Sequence, residues 1–470
     1  MKTTKYFFMA ALALMTAACS NEDNAIEQQP QMARGIPFTA TISMGNSAAT
    51  RALEEIDPTG DTPNGSIVGK WTSTDVVALI YKVGDTSYKT EATVTPRSDG
   101  KATLSATLQS GATDGSDVTI IYPATAADGT TGEVDADVLE TQDGTLTGNA
   151  TSIDKTCDVR KGIGKLSISG VDGYKTATVN NGTAGTYVTL SNVFSIFKFT
   201  LQNIKGNDLS VHTLTILDAD NEVVKGTITL NAATNVYYVA LPELTAGKYW
   251  LNATFRVGNN NKPYIAKVTS TATAAGKYYP VTVKMATICD FILSDGTFAA
   301  ANTTTTTGTP VAMIAYLGKA TDNDTYKHGL ALAMNDENSG NGLTWSDAQT
   351  ACNNKTTPSV TNAGTSSWLF PSETQWTNMD YQVRTFYNSP GLYNVFHNDT
   401  GDNVSDATNL QYKDTDESHI LYWSRTEVKV GESYTSARAF DVYTPNWYND
   451  PKTNGAVTPY KRVCRACLAF

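Results

Sequence analysis

Residues 188–201 read Val-Thr-Leu-Ser-Asn-Val-Phe-Ser-Ile-Phe-Lys-Phe-Thr-Leu and decide the fold class. Alternate residues of an extended chain face opposite sides, so Phe194 and Ile196 share one face and Phe197 and Phe199 the other. Similar short apolar segments recur from residue 71 to residue 284, separated by Gly, Asp and Asn and without helical runs. Strands at this spacing predict β-sandwiches.

The composition fits a folded, β-rich chain of several domains. Its 470 residues suffice for about three domains of roughly 150 residues each. Apolar residues make up 40%, enough to bury a core, so disorder over the whole chain is excluded. Lys+Arg 35 against Asp+Glu 46 gives a net charge of −11 without basic blocks, which excludes nucleic acid as a partner.

The first residues have the features of a signal peptide covering residues 1–18. Lys2 and Lys5 precede an apolar run that is too short to span a bilayer. The following Met-Thr-Ala-Ala-Cys, residues 15–19, resembles a bacterial lipobox. That resemblance implies cleavage before Cys19 and lipidation of its thiol, and two or three acyl chains would anchor the protein stably. An ordinary signal peptide, cut after Ala17 or Ala18, is the alternative.

A candidate exchangeable strand follows a polar tether. Ile36, Phe38, Ala40 and Ile42 alternate with polar residues and lie on one face of a predicted strand. A lone strand cannot bury that face, so this strand must join a sheet. The small-residue stretch 47–52 contains Arg51 and is predicted to be open to a trypsin-like protease.

Together these features resemble the fimbrillin (Mfa-like) family of Bacteroidetes, the subunits and accessory proteins of type V pili. The resemblance covers roughly residues 36–287 and implies two tandem β-sandwiches, 52–186 and 187–287. Besides the lipobox and the strand before an Arg, the matching motifs are Trp71 with Asp75-Val76-Val77-Ala78, Gln142-Asp143-Gly144-Thr145, Asn192-Val193-Phe194-Ser195-Ile196-Phe197-Lys198-Phe199 and Ala275-Gly276-Lys277-Tyr278-Tyr279-Pro280-Val281-Thr282-Val283.

The fimbrillin resemblance implies a mechanism of assembly. Residues 19–51 form a lipidated leader whose first strand departs after a protease cuts at Arg51, and a neighbouring subunit fills the vacated groove by β-strand addition. Cleavage at Arg34 is an alternative site, but it would keep the strand. A permanent first strand beside an ordinary surface Arg is the other alternative, because anchor-type members keep their leader and lipid.

The C-terminal third, residues 288–470, has a different pattern. Thr344 is a predicted N-cap with Asp347 three residues later, and Ser372 is a second predicted cap. This region resembles a bacterial C-type-lectin-like domain, which implies an α+β fold with two helices and two small sheets. The matching motifs are Asp295-Gly296-Thr297, His328-Gly329-Leu330-Ala331-Leu332, Trp345 with Ala348 and Cys352, Trp368-Leu369-Phe370-Pro371-Ser372 with Gln375, Tyr422-Trp423-Ser424-Arg425-Thr426 and the last strand. Leu369 departs from the pattern, which usually has Arg there.

The long loop of this domain carries the ligand-contact candidates. Tyr443, Trp447 and Tyr448 could stack on a sugar or a protein, or could simply fix the loop in place. The loop segment 444–450 looks like the calcium motif of C-type lectins, but Thr444 lacks a carboxylate. Calcium needs six to eight oxygens, so we expect no metal here.

The six cysteines suggest no metal or redox centre. Cys464 and Cys467 form a CxxC without a second pair, and in a strand they would point to opposite faces. The lectin-like resemblance implies one disulfide from the helix to the last strand, Cys352 to Cys467 or to Cys464. No catalytic motif is present and four histidines are scattered, so we expect neither an enzyme nor a cofactor.

The sequence as a whole predicts a mainly β adhesin-type lipoprotein on the outer membrane, acting as a pilus tip or accessory subunit. The C-terminal strand is expected to be built into the head, which favours a subunit that accepts a strand. Expected partners are other pilins by strand exchange, a surface glycan or host protein, and the outer membrane through the lipid. The alternatives are a permanently anchored, non-polymerising lipoprotein that binds glycan and a polysaccharide-utilisation protein.

Overall fold

The protein is mainly β, as predicted, with 51% strand and 11% helix. The signal peptide, Cys19, Arg34 and Arg51 lie outside the described residues. The computed structural model describes residues 35–44, 54–56, 66–68, 71–171, 174–181, 187–300, 308–340, 342–387, 392, 421–430, 433–452 and 461–470.

One eight-stranded sheet forms the N-terminal domain. Its order is β10-β1-β6-β5-β4-β7-β8-β9, and β9 also pairs with β1, so the sheet closes on itself. A separate two-stranded ribbon joins β2 and β3, and a short helix α1 (Ile153–Thr156) precedes β8. The strands are β1 (Ile36–Met44), β2 (Glu54–Ile56), β3 (Ser66–Val68), β4 (Val76–Val83), β5 (Thr86–Pro96), β6 (Lys101–Leu108), β7 (Asp117–Tyr122), β8 (Arg160–Ser169), β9 (Thr176–Asn180) and β10 (Val188–Asn192).

The middle domain is a sandwich of a three-stranded and a four-stranded sheet. The sheets have the orders β14-β11-β17 and β13-β12-β15-β16, and residues such as Phe199, Leu214 and Tyr237 fill the space between them. The strands are β11 (Ser195–Asn203), β12 (Val211–Leu217), β13 (Val223–Thr234), β14 (Val236–Leu241), β15 (Gly247–Val257), β16 (Asn260–Ser270) and β17 (Tyr278–Met285).

The boundary between these domains falls inside residues 188–201, the segment predicted as one strand. The first domain extends through β10 to Asn192, a few residues beyond the expected boundary at 186, and β11 begins the second. Val188 and Leu190 are buried at even positions, whereas Phe197 and Phe199 are buried at odd ones. Because side chains alternate with a period of two, one unbroken strand cannot bury both sets on the same face. The chain therefore bends at residues 193–194.

The C-terminal domain combines two sheets and two helices. The sheet orders are β19-β18-β20-β21-β25 and β22-β23-β24. Its elements are β18 (Phe291–Leu293), β19 (Phe298–Ala299), β20 (Pro310–Leu317), β21 (Gly329–Ala333), α2 (Trp345–Asn353), α3 (Glu373–Phe386), β22 (Leu421–Val430), β23 (Ser433–Asp441), β24 (Asn446–Pro451) and β25 (Cys467–Ala469).

Both predicted helix caps of the C-terminal domain are confirmed. The Thr344 hydroxyl accepts a hydrogen bond from Asp347 N at the start of α2. Ser372 and Gln375 form a reciprocal capping box at the start of α3, which satisfies two backbone N–H groups that the helix itself leaves unpaired.

Apolar contacts connect the domains in series. Ile80 and Ile121 of the first domain share a buried cluster with Ile196 of the second, and Trp250 of the second packs into the core of the third. Within the described part of the chain, we find no helix with the length and apolar character needed to cross a membrane.

Candidate functional site

Strand β1 closes the N-terminal sheet and is the candidate functional element. It pairs antiparallel with β6 from Ile36↔Leu108 to Ser43↔Lys101. On its other side it runs parallel to β10, with Ile42 opposite Val188, and meets β9 at Phe38↔Ala177. Because β9 ends the strand order that begins with β10 and β1, removing β1 would open the sheet between β6 and β9.

The alternating face predicted for β1 is buried in the core of that sheet. Ile36, Phe38, Ala40 and Ile42 are at most 4% exposed, while Pro37 and Thr39 face outward. Met44 is a fifth buried residue of this face. The sequence analysis missed it, although the same alternation, continued by two residues from Ile42, would have found it.

The burial of this face sets the cost of removing β1. Each large apolar side chain contributes about 1.5–3 kcal/mol when fully buried, so Ile36, Phe38, Ile42 and Met44 together contribute on the order of 6–12 kcal/mol. A whole domain is stable by only about 5–15 kcal/mol. An opened groove would therefore need another strand to remain folded.

The cysteines of the C-terminal domain are buried free thiols. Cys352 of α2 is hydrogen-bonded with Cys464, and this bond together with burial raises the pKa of the Cys352 thiol. Cys467 instead lies with its Sγ 3.9 Å from Gln375 Oε1, and burial raises its pKa to about 12. Of the two disulfides that the lectin-like resemblance implies, Cys352 with Cys464 is the pair in direct hydrogen-bond contact, while Cys467 also acts on the Cys352 thiol by its charge.

The predicted long loop is a hairpin turn: Tyr443 lies in the turn between β23 and β24, whereas Trp447 and Tyr448 belong to strand β24, which pairs with β23. Trp447 packs on Phe440 with 4.9 Å between ring centroids and helps to fix the β23–β24 hairpin. Tyr443 is 45% and Tyr448 38% exposed. The buried Asp441 carboxylate holds the turn by accepting hydrogen bonds from Tyr443 N and from the Thr444 backbone and hydroxyl.

A buried ion pair beside the last strand was not predicted. Arg465 and Asp336 are joined by an Nε–Oδ1 distance of 2.5 Å with side-chain exposures of 0% and 1%. The Tyr422 hydroxyl donates to Asp336 Oδ2 at 3.2 Å. Nothing in the local sequence pattern separates Arg465 from a surface arginine, because its partner is 129 residues away in the chain.

Among the residues that the structure describes, no group of three or more His, Cys, Asp or Glu is placed to hold a metal ion.

Comparisons with known proteins give structural neighbours only. No family model matches the chain, and no curated protein matches it. Among solved structures, it is similar to a proposed cell adhesion protein from Bacteroides uniformis, with 13% identity and a TM-score of 0.28 over 55% of this chain and 97% of that one. A proposed cell adhesion protein from Bacteroides fragilis has 14% identity and a TM-score of 0.26, with 58% and 98% covered. A streptococcal ancillary pilin has 7% identity and a TM-score of 0.18, with 59% and 75% covered.

Proposed function

We propose that this chain is a cell-surface adhesion subunit that is assembled by β-strand addition. Its first strand folds as part of the N-terminal sheet and is released after cleavage at Arg51, and a strand from another subunit then takes its place. The position of β1 carries the proposal, because β1 is the strand whose removal opens a closed sheet along an apolar groove.

The groove suits strand exchange because it recognises a general pattern of backbone and alternating apolar side chains and not one particular sequence. The strand offers backbone hydrogen bonds to β6 on one side and to β10 and β9 on the other. Its side-chain contacts are apolar and alternate. An incoming strand with the same alternation and direction can reproduce both, which is how β-strand addition combines affinity with specificity.

Unlike β1, the last strand, β25, is not suited to exchange, which supports a tip or accessory position for this chain. Residues 467–469 pair with β21, and all three are fully buried. Donating this strand would open the core of the C-terminal domain, so we propose that the chain accepts a strand and does not donate β25.

Cleavage and acceptance can be tested separately. The purified full chain is treated with an arginine-specific protease and its new N-terminus is read by mass spectrometry. We expect a chain that starts at Ala52, with the peptide containing β1 displaced by an added labelled peptide of residues 35–44. The same peptide carrying Ile42→Asp should not bind, because a carboxylate would enter the apolar groove.

Two variants form the control pair. Arg51→Ala should prevent both release and peptide uptake, whereas Arg34→Ala should leave both unchanged because cutting at Arg34 keeps β1. Uptake of the peptide by the Arg51→Ala chain, or an Arg51-cleaved chain that never releases β1, would contradict strand exchange. A mature cell-surface protein that begins at acylated Cys19 and retains β1 would identify a permanently anchored lipoprotein instead.

We further propose that the C-terminal domain binds a surface glycan or a host protein and performs no catalysis, with lipidation at Cys19 placing the precursor at the outer membrane. The exposure of Tyr443 and Tyr448 supports them as contact residues, while the packing of Trp447 on Phe440 supports a structural role for that residue. Adhesion of cells displaying Tyr448→Ala, compared with cells displaying Tyr88→Ala in the first domain, tests whether the β23–β24 hairpin contacts the ligand. Equal adhesion by both would contradict it.

A further inference from the structure

A groove of about 690 Å³ lies where the loop after Gln142 meets the β13–β14 hairpin of the middle domain. Its size is within the range of about 300–1,000 Å³ typical of small-ligand sites. Gly144 and Thr145, the last two residues of the fimbrillin-like motif Gln142-Asp143-Gly144-Thr145, line one wall, and the strand-exchange function does not use this motif.

The wall formed by this loop is rigid. The Asp143 carboxylate accepts hydrogen bonds from Thr145 N at 2.9 Å, from the Thr145 hydroxyl at 2.6 Å and from the Thr151 hydroxyl at 3.0 Å. Burial by itself would raise the pKa of Asp143, but these bonds outweigh it and hold the pKa below its usual value. A site whose polar groups are already positioned loses little conformational entropy on binding.

The same loop occupies the edge of β14. The Gln142 side chain donates to Ala240 O at 2.9 Å and accepts from Ala240 N at 2.6 Å, and Tyr238 N donates to Gly144 O at 2.8 Å. At Gly144, with φ +81°, a Cβ would lie 2.8 Å from the Tyr237 ring. Since these backbone groups of the edge are already paired, an extended peptide cannot bind here by adding a strand.

The chemistry of the lining identifies the ligand class. The described residues that line the groove include no charged side chain, and their polar groups come from threonines, asparagines and Tyr238. Hydroxyls and amides both donate and accept hydrogen bonds, and a tyrosine ring offers an apolar surface with a polar end. Lys198 Nζ lies 5.8 Å from the centre of the Tyr238 ring without lining the groove.

We propose that this groove binds an uncharged oligosaccharide, with Tyr238 packing against a sugar ring and Asn231, Asn149 and Thr147 bonding its hydroxyls. A phosphate, carboxylate or amine would find no opposite charge in the lining. A purely apolar ligand would leave the amides and hydroxyls without partners.

The test is affinity electrophoresis of the full chain through gels containing soluble neutral glucan, mannan or xylan, with the acidic polygalacturonate as the charge control. We expect retardation by at least one neutral polysaccharide. Asn231→Ala and Tyr238→Ala should each weaken it about fivefold, the loss expected when a hydrogen bond or an aromatic contact that contributes about 1 kcal/mol is removed. Asn261→Ala, an exposed asparagine of the same domain, is the matched control.

A second variant guards against misfolding: Ala232→Trp fills the groove from an exposed position and should also abolish retardation. No retardation by any neutral polysaccharide, or retardation unchanged by the groove variants, would overturn the proposal. So would retardation lost only in Tyr448→Ala, which would place the sugar at the β23–β24 hairpin of the C-terminal domain. Binding to arrays of neutral peptides alone, lost in the same groove variants, would assign the groove to a protein partner and would also overturn it.

Discussion

The first and last strands of the described chain each complete a sheet, but they are held in different ways. Strand β1 is held by backbone pairing and by five alternating apolar side chains. Strand β25 is only three residues long, yet specific polar contacts surround it. His328 N and Gly329 N both donate to Phe470 O, and Arg465 forms its buried ion pair two residues before the strand.

We call the closure of the first sheet by β1 replaceable and the closure of the C-terminal sheet by β25 permanent. Any strand with suitable alternation can restore the apolar contacts of β1, because burial of apolar area is non-directional. The contacts around β25 depend on particular donors, acceptors and charges, and a buried charge without its partner is strongly destabilising. We therefore expect the first domain to exchange its terminal strand and the third domain to keep its own.

The largest expected effect tests the permanent closure. Asp336→Ala removes the partner of Arg465 and leaves a guanidinium that stays protonated inside the core. We expect a loss of about 3–5 kcal/mol in the unfolding free energy of the C-terminal domain. Urea denaturation followed by tryptophan fluorescence measures it, because Trp345, Trp368, Trp376, Trp423 and Trp447 lie in that domain.

The control for this change is an exposed ion pair. Asp117 and Lys165 lie 2.8 Å apart with side-chain exposures of 65% and 53%, and Asp117→Ala should cost no more than about 1 kcal/mol. A similar small loss in Asp336→Ala would show that the buried pair does not hold the last strand in place.

The next effect tests the replaceable closure. Ile42→Ala removes a fully buried side chain of β1 and should destabilise the intact first domain by about 2–5 kcal/mol. Thr39→Ala on the outward face should change it by no more than about 0.5 kcal/mol. Hydrogen exchange of β6 in the intact chain measures both. After cleavage at Arg51 and uptake of an unaltered peptide, the two variants should become equal, and a persistent difference would mean that β1 never left.

The sequence predicted the strand and side chains of the replaceable closure, but not the contacts that hold the permanent one. Alternation located β1, its buried face and both helix caps, because each is set by residues within a few positions of one another. The domain break was predicted at residue 186, and the change from even to odd apolar positions in 188–199 places it at residues 193–194 instead. The pair of Arg465 and Asp336, the neighbour of Cys352 and the groove beside Gln142 depend on contacts between distant segments, which no local pattern specifies.

A third prediction concerns covalent reinforcement of the permanent closure. Cys352 and Cys464 are free thiols that contact each other. In an exporting compartment, a disulfide oxidant would take two electrons and two protons from them and join α2 to the segment before β25. Because a buried thiol with a raised pKa reacts slowly, we expect the bond to form during folding and to add about 2–4 kcal/mol.

Peptide mapping without reductant checks this bond. A Cys352–Cys464 cross-linked peptide should appear in the protein recovered from the cell surface and persist in Cys467→Ser. A cross-link through Cys467, or only free thiols in the exported protein, would contradict it. The first domain should show no such dependence on reductant, since residues 35–192 contain a single cysteine, Cys157, which is a buried free thiol with no second cysteine in that domain to pair with.

The smallest effect is the pH dependence that His328 adds to the permanent closure. His328 stacks on Trp250 of the middle domain with 3.9 Å between ring centroids, and burial, with the charges of Lys267 and Lys319, lowers its pKa to about 4. In the unfolded chain a histidine has a pKa of about 6.5, so between pH 6.5 and pH 4 the unfolded state binds a proton that the folded state does not bind. The free energy of unfolding therefore falls as the pH drops from about 6.5 to 4. Between pH 7 and pH 5 the loss should be about 2 kcal/mol.

His328→Gln isolates this contribution. The variant starts from a lower stability because the stack is altered, so the readout is the slope of stability against pH and not its absolute value. Urea denaturation at pH 7 and pH 5 should show a loss about 2 kcal/mol smaller in the variant than in the unaltered chain. Equal slopes would mean that His328 already accepts a proton while packed on Trp250. Acid should therefore weaken the contact between the C-terminal domain and the middle domain at His328. Strand β1 has no titratable side chain, so we expect the affinity of the groove for β1 to stay the same.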